Sequence, residues 1–597
     1  MSARPCSRAA AWHNRILRPS GRFNRTHSPR ASGLRRTSYG GKCDSPQFVA
    51  IAAAVAAQKH DRAVRLAVKR EVDTAMFGHR HPGHGDFAVA IGDGSDTPAN
   101  KGRLVGLRNA FLLNGGWTYD CSFVVMDCLQ LRVDSAYFIP NYFTSGDVCQ
   151  TNTASNTAFR TMGLIQGVLM QEEAIEAAAH AVGMLPEDVR AKNLYQKGQA
   201  TPFGQVPPDC YIERVFHTTR RKYDFDNRLA AAREFNAQNK FRKRGLSLIP
   251  VKYGSGFNLP MLEQAGAQVE VFDSDGTVLV RTGGVEMGQG LNTKIAQVAA
   301  YYLGIPVSLV RVAELDTSVV PHPSSTGAST GSGFNAEAVR AGCEELVTRL
   351  KDYCRIKGLS FPCGSQRRWD PNDPEGKNSN WKSAVYNAHN DRINLSAQTR
   401  VAIDGGEVLD GVGLFFHPTT KNPETNYNFT GYTYSAAIAE VEVDVLTGET
   451  TVLRADIVYD MGRSQNPAVD VGQVEGAFVQ GIGYVMYEER VYQPEGTPLP
   501  PGVLNSTNTW NYKPPAATSI PLVMNVDLFP CQENDDDPLL SSKEVGEPPM
   551  TLAATVFFAI KHAVLEARKD QGDAGWFPLE CPATVQRVAE ACRVKQP

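Results

Sequence analysis

Between Ala437 and Val445 apolar and charged positions alternate, placing Val441, Val443 and Val445 on one face and Glu440, Glu442 and Asp444 on the other. A period of two predicts a half-buried strand, and Leu446-Thr447-Gly448-Glu449 followed by Thr450 to Val458 completes a hairpin. Strands are also predicted within Lys252 to Thr282, with a turn at Asp273 to Gly276. Elsewhere the period is helical. Leu552, Val556, Ile560 and Val564 stripe the segment Thr551 to Arg568, while Val339, Cys343, Leu346, Val347 and Leu350 stripe another. Met170 to Gly183 is an alanine-rich helical stretch, and Pro186-Glu187-Asp188 opens the next helix. The longest apolar run, Phe48 to Ala57, reads as a core helix and is too short to span a bilayer. Charged residues from Arg220 to Arg244 read as a link between subdomains. Pro362 to Asn390 and Gln532 to Asp537 read as solvent-facing loops, the latter without the spacing of a calcium loop. The fold expected is α+β, with mixed helices and strands.

The chemistry concentrates at two junctions. Gly283-Gly284-Val285-Glu286-Met287-Gly288-Gln289-Gly290 joins a strand to a helix starting near Asn292. Glycines allow close backbone approach, and a helix N-terminus attracts anions, so the loop is either a phosphate cradle or a tight connection. It matches neither the dinucleotide fingerprint nor the Walker loop. The second junction, Ser541-Ser542-Lys543-Glu544-Val545-Gly546-Glu547-Pro548-Pro549-Met550, holds Glu547 on a stiff, proline-bounded turn. That carboxylate either complements the following helix or serves as a fixed proton acceptor.

Together, GGVEMGQGLNTKIAQVA, SNTAFR, VGQVEGAFVQGIG and SSKEVGEPP resemble motifs of the molybdenum-binding portion of xanthine dehydrogenases and aldehyde oxidases. The likeness runs from about Tyr39 to near the C-terminus and includes Arg80-His81-Pro82 and Ser324 to Ser329. It implies a molybdopterin cofactor and two molybdopterin-binding domains, at 38–225 and 228–597, the first truncated. By motif position Tyr39, Arg160, Met287, Gly288, Gln289, Gly327, Ala328, Ser329 and Gln473 would surround the cofactor, with molybdenum held through the pterin dithiolene and by no protein ligand directly. Glu547 would be the catalytic base in oxidation of an aldehyde or N-heterocycle, with water as the oxygen source. Electrons would pass to iron–sulfur and flavin domains on missing segments or partner chains. The twelve cysteines contain no C-x-x-C pair to hold such clusters.

At the substrate-side positions the sequence departs from the family. Cys43 stands where xanthine-oxidising relatives have a purine-binding glutamate, and Cys128 where they have an arginine. A thiol cannot replace either group's hydrogen bonding, which argues against xanthine, although purine oxidation remains the alternative within the enzyme class. A cofactor-binding fragment without turnover is the alternative outside it. Cys43 and Cys128 also admit a metal-ligand or disulfide reading, or simple burial as small hydrophobes. Phe257 would supply one aromatic wall, while the other is altered, Thr161 and Met162 standing where the family has a glycine and a phenylalanine.

Composition adds boundaries. At 597 residues, 42% hydrophobic and 9% aromatic, the chain reads as globular with more than one core. A net charge of −2 gives no general pull toward nucleic acid or membrane, and scattered cysteines fit a reducing, cytoplasmic setting. The resemblance further implies a small-molecule substrate and a homodimer. Residues 1–37 stand apart, with nine arginines and no acidic residue. A truncated or misassembled reading frame is the preferred reading, ahead of a targeting segment and a basic arm.

Overall fold

The computed structural model describes residues 39–41, 46–76, 78–257, 262–314, 319–320, 323–359, 378–402, 429, 431–493, 502–530 and 542–593. The 1–37 segment, Cys43 and the 532–537 run lie outside them.

The first part contains helix α1 (Pro46–His60), α2 (Arg70–Met76), strands β1 (Gly83–Ile91) and β2 (Leu104–Gly116), α3 (Ser122–Gln130), β3 (Asn141–Gln150), α4 (Leu164–Val182) and α5 (Pro186–Lys192). β1 and β2 pair antiparallel, β2 and β3 parallel. Helix α1 forms where the apolar run predicted it, but it is no core helix: none of its residues is buried, and Phe48, Ile51 and Val55 stay exposed. The described neighbours leave its apolar side uncovered.

The charged stretch after Arg220 is likewise more than a link. It belongs to α6 (Ile212–Lys222), α7 (Phe225–Gln238) and the start of β4 (Arg242–Ser255). The helices cover one face of a sheet ordered β11-β10-β9-β4, where β9 (Gly431–Asp444) and β10 (Thr450–Asp460) are the expected hairpin and β11 is Val523–Leu528. Strand phase sorts β4 between two cores. Leu246 and Leu248 meet α6 and α7, whereas Ile249, Val251 and Tyr253 point to the side covered by helix Ala554–Lys569. That helix lies directly on the β4 backbone, since a Cβ on Gly245 would come within 1.9 Å of the Ala559 carbonyl oxygen. Together Pro548–Lys569 is long and apolar enough to cross a membrane, yet 83% of its most apolar window is buried within the fold.

A third sheet is ordered β7-β6-β5-β8, from β5 (Gln264–Val271), β6 (Val278–Thr282), β7 (Val310–Val312) and β8 (Ser396–Ala402). Helices α8 (Leu291–Leu303), α9 (Gly331–Ile356) and α10 (Asn378–Asn390) pack on it. The last corrects the polar-loop reading over 378–390, residues 362–377 lying outside the described ones: Trp381 is fully buried and its indole N–H donates to the Gly276 carbonyl at 2.9 Å. Ala384, Val385 and Ala388 are buried beside it, so a short apolar stripe with one large aromatic anchors the helix. The chain closes with α11 (Pro467–Ile482), the short α12 (Pro548–Thr551), α13 (Ala554–Lys569) and α14 (Val585–Cys592).

Candidate active site

A cavity of ≈ 220 Å³ brings together segments hundreds of residues apart, including Tyr39, Arg160, Phe257, Met287, Gln473 and Glu547. Ten of the fourteen residues expected from the sequence line it, Met162, Gln289, Gly327 and Ser329 among them. Their roles follow from what each side chain touches.

Glu547 is 7% exposed, and its Oε2 accepts a hydrogen bond from the Tyr253 hydroxyl at 2.6 Å. Burial raises its pKa above the usual carboxylate value. The Tyr253 bond, the charges of Arg132 and Arg160, and the Ala328 N–H act in the opposite direction. A raised but anchored carboxyl group suits proton transfer near neutral pH.

Arg160 ties the cavity wall together. Its Nε donates to the Gly546 carbonyl at 2.5 Å, while its terminal nitrogens donate to Gln480 Oε1 at 3.2 Å and Gln473 Oε1 at 3.3 Å. The guanidinium also lies 5.1 Å from the Tyr39 ring centroid. It thus positions the turn that carries Glu547 through a planar fork of donors.

The glycine-rich loop behaves differently from the sequence expectation. Glu286 sends its carboxylate back over the start of α8 and accepts from the N–H groups of Gly288 at 2.8 Å, Gly290 at 3.1 Å and Asn292 at 2.9 Å. The helix N-terminus is therefore occupied by the chain's own anion, because Glu286 lies within reach of the orphan donors. Gln289 is also engaged, its Oε1 accepting from Met287 N–H at 2.6 Å and its Nε2 donating to Val285 O at 2.8 Å. Met287 and Gln289 line the cavity. Gly288 does not, being exposed with open space where a Cβ would stand.

The open helix end belongs to α9. Ser325, Thr326, Gly331, Ser332 and Gly333 line the cavity, and the first turn of α9 carries no acidic residue. Preceding it, Ala328 (φ 51°) and Ser329 (φ 61°) both adopt the left-handed conformation, which is costly for residues with a Cβ. Ser329 Oγ is buried without a hydrogen-bond partner. Ala328 is fully buried behind the lining and contributes its backbone N–H to Glu547.

On the substrate side, Cys121, Val124, Ala158, Met162, Phe257 and Leu262 form a continuous apolar surface. Cys128, expected there from motif position, does not line the cavity. It is 1% exposed, within the core under that surface, and burial raises its thiol pKa. Val124, one turn earlier on the same stripe of α3, and Cys121 at its N-cap reach the cavity, while Cys128 lies further along the helix, inside the core.

Sequence reasoning missed three supporting residues. Tyr253 and Arg132 lie behind Glu547, and Lys543 lines the cavity with its Nζ donating to Asp460 at 2.7 Å and Asp209 at 2.5 Å. Lys543 sat inside a motif already quoted, four positions before Glu547, and that proximity was the available signal. Among the described residues no group of three or more histidine, cysteine or acidic side chains is disposed to hold a metal ion.

Two matches to the molybdopterin cofactor-binding domain cover residues 37–194 and 218–521. The chain is 38% identical to xanthine dehydrogenase 1 of Arabidopsis thaliana over 555 residues, covering 93% of this chain and 38% of that protein. It is equally 38% identical, over 554 residues, to the xanthine dehydrogenase/oxidase of Gallus gallus, with the same two coverages. The chain thus spans 38% of the length of these relatives. Among solved structures, aldehyde oxidoreductase from Desulfovibrio gigas superposes with a TM-score of 0.72 at 22% identity, over 93% of this chain and 54% of that one. Quinoline 2-oxidoreductase from Pseudomonas putida 86 gives 0.74 at 20%, over 92% and 66%. At these identities the two structures establish a shared fold.

Proposed function

Because the chain belongs to the molybdopterin cofactor-binding family of the xanthine dehydrogenases and aldehyde oxidoreductases, we propose that it is the cofactor-bearing part of a hydroxylase that oxidises an aldehyde or a neutral N-heterocycle. The observation that carries this reading is the placement of Glu547, a buried carboxylate with one oxygen anchored, on a cavity that is apolar on one side and donor-rich on the other.

The residues present fit the cofactor. Ser329 Oγ lacks a partner, and the α9 N-terminus with Gly331, Ser332 and Gly333 offers an anion-facing end. Gln473 lies within hydrogen-bond reach of Arg160, and Gly327 and Gly546 line the same space. We assign the anionic end of the pterin to α9 rather than α8, whose N-terminus Glu286 fills. When bound, the cofactor supplies a two-electron oxidant and delivers oxygen from water to the substrate carbon. Glu547 would accept the proton released in that step, Arg160 would hold the Gly546 turn, and Phe257 and Met162 would seat a flat substrate and exclude water.

Purine oxidation is the second reading, favoured by the names of the relatives. Against it, the apolar surface above Cys128 carries no cation, and the lysines lining the cavity are already paired, Lys294 with Asp470 and Lys543 with Asp209 and Asp460. Iron–sulfur and flavin domains as electron acceptors, a homodimer, a cytoplasmic location and a domain division near 225–228 complete the proposal. For the last, the two family matches, ending at 194 and beginning at 218, support a division in this part of the chain.

The test pairs cofactor content with turnover. Glu547→Gln should retain molybdenum and pterin but lose aldehyde oxidation by roughly 10²- to 10⁴-fold with an artificial electron acceptor. Unchanged turnover would remove Glu547 from the reaction, and a folded wild-type chain without molybdenum would favour the non-catalytic reading.

A further inference from the structure

A buried tyrosine hydroxyl needs a partner, and Tyr253 finds its partner in Glu547, 294 positions along the chain. Tyr253 is 1% exposed near the end of β4 and faces the same core as Ile249 and Val251, so strand phase aims its hydroxyl at the turn carrying Glu547. It does not line the cavity.

Arg132 fixes this tyrosine in turn. Its guanidinium lies 5.0 Å from the Tyr253 ring centroid and 4.4 Å from that of Phe429. Nε donates to the Gly254 carbonyl at 2.7 Å and a terminal nitrogen to the Gly256 carbonyl at 2.6 Å. These carbonyls flank the residues just after Tyr253, so one planar cation pins the strand end. Beyond it, the Phe257 N–H donates to Glu263 Oε1 at 2.8 Å, carrying the same order into the cavity wall.

We propose that Tyr253, held by Arg132, is the positioning residue of Glu547: the phenol commits Oε2, and proton exchange with the cavity runs through Oε1. This rests on the reading of Glu547 as the base. Other groups facing that carboxyl are Arg132 beyond α3, Cys128 on α3, Arg160, Arg80 ahead of β1 and the Ala328 N–H. Tyr253 is distinct among them in donating a side-chain hydrogen bond to it. The phenolic bond favours the ionised carboxylate, so its removal must make Glu547 harder to ionise.

The experiment uses the full chain as wild type, Tyr253→Phe and Glu547→Gln. Infrared pH-difference spectra, with the Glu547 band assigned by its loss in Glu547→Gln, should show the Glu547 midpoint rising by about one pH unit in Tyr253→Phe, the worth of one charge-assisted hydrogen bond. The acid limb of kcat/KM should move by the same amount with KM unchanged, which a purely structural role would not produce. Site-specific 3-fluorotyrosine at 253, a stronger donor that keeps the ring, should move the midpoint the opposite way and decides the matter if Tyr253→Phe fails to fold. An unmoved midpoint in either folded variant overturns the inference while leaving Glu547 as the base. Turnover surviving in Glu547→Gln would instead overturn the base reading, with the infrared coupling still measurable.

Discussion

Arg160 Nε donates to the carbonyl oxygen of Gly546 at 2.5 Å, across 386 positions of sequence. This contact joins the turn after β3 to the turn that carries Glu547. With Arg160 5% exposed, Arg160→Ala would leave the Gly546 carbonyl and two glutamine amides without their donor. A loss of about 2–4 kcal/mol in urea unfolding is expected, together with loss of molybdenum from the purified protein. Arg160→Lys keeps the charge but lacks the fork, and should recover stability more than cofactor content.

Glu286 serves as the missing cap of α8, whose N-cap position is Gly290 without a side chain to accept a hydrogen bond. Glu286→Ala should therefore cost about 1–2 kcal/mol in chemical unfolding. It should leave molybdenum content unchanged if the anionic end of the pterin docks at α9. A selective loss of cofactor without loss of stability would return that role to the glycine-rich loop.

The apolar lining separates Val124 from Cys128. Val124→Ala should raise KM for benzaldehyde by roughly 5- to 10-fold, since each methylene contact in such a pocket discriminates by at least that order. Cys128→Ser puts a hydroxyl into the core beneath and should lower stability by about 1–2 kcal/mol while leaving KM within about twofold. Steady-state kinetics and unfolding on the same preparations distinguish the two positions.

His562 and Glu176 give the fold a pH dependence far from the cavity. His562 Nδ1 faces the Leu246 carbonyl at 2.6 Å and Nε2 faces Glu176 Oε2 at 2.9 Å, two acceptors that call for a doubly protonated ring. Burial alone would lower the pKa of His562, but the Glu176 charge and hydrogen bond overcome it and raise the value to about 9. Burial likewise opposes the charge on Glu176, yet His562 and Arg190 pull its pKa down to about 2. A raised histidine stabilises fully below its unfolded pKa near 6.5 and loses that contribution as pH rises through 9. A lowered carboxylate contributes above 4.5 and loses it as pH falls toward 2. The pair is thus strongest between pH 4.5 and 6.5. His562→Asn should be less stable than wild type by at most about 3 kcal/mol at pH 6, the gap closing by pH 9.5 in urea titrations.

What the sequence disclosed depended on the range of the interactions. The β9–β10 hairpin follows from alternation that each strand carries within itself, and its register pairs Val441 with Val452 as that pattern demands. The stripe on α9 was equally local, with Val339, Cys343, Leu346 and Leu350 all fully buried. Ten of the fourteen residues expected from motif position lie on the cavity. Motif position could not say that Glu286 would fold back onto α8, because a carboxylate's direction depends on side-chain torsions that no periodicity records. Nor could it place Cys128, which shares the stripe of Val124 but is buried because of how far that end of α3 sinks against Phe111 and Leu113 of β2. The bond between Tyr253 and Glu547 crosses two distant segments and leaves no trace in either one. Trp381 was missed because its stripe with Ala384, Val385 and Ala388 is short, built mostly of small residues, and set among polar ones.

Thr161 (φ 86°) and Met162 (φ 40°) carry side chains where the backbone favours glycine, and Arg80 donates to Thr161 Oγ1 at 3.1 Å. A β-branched residue in this region is a costly choice. Thr161→Gly would relax the backbone but free Arg80 from one acceptor, and a bulkier residue would add to the strain. This corner of the cavity therefore has little freedom to diversify by single steps: a lineage acquiring a new substrate would find its accessible changes at Val124 and Leu262, while the turn behind them stays fixed.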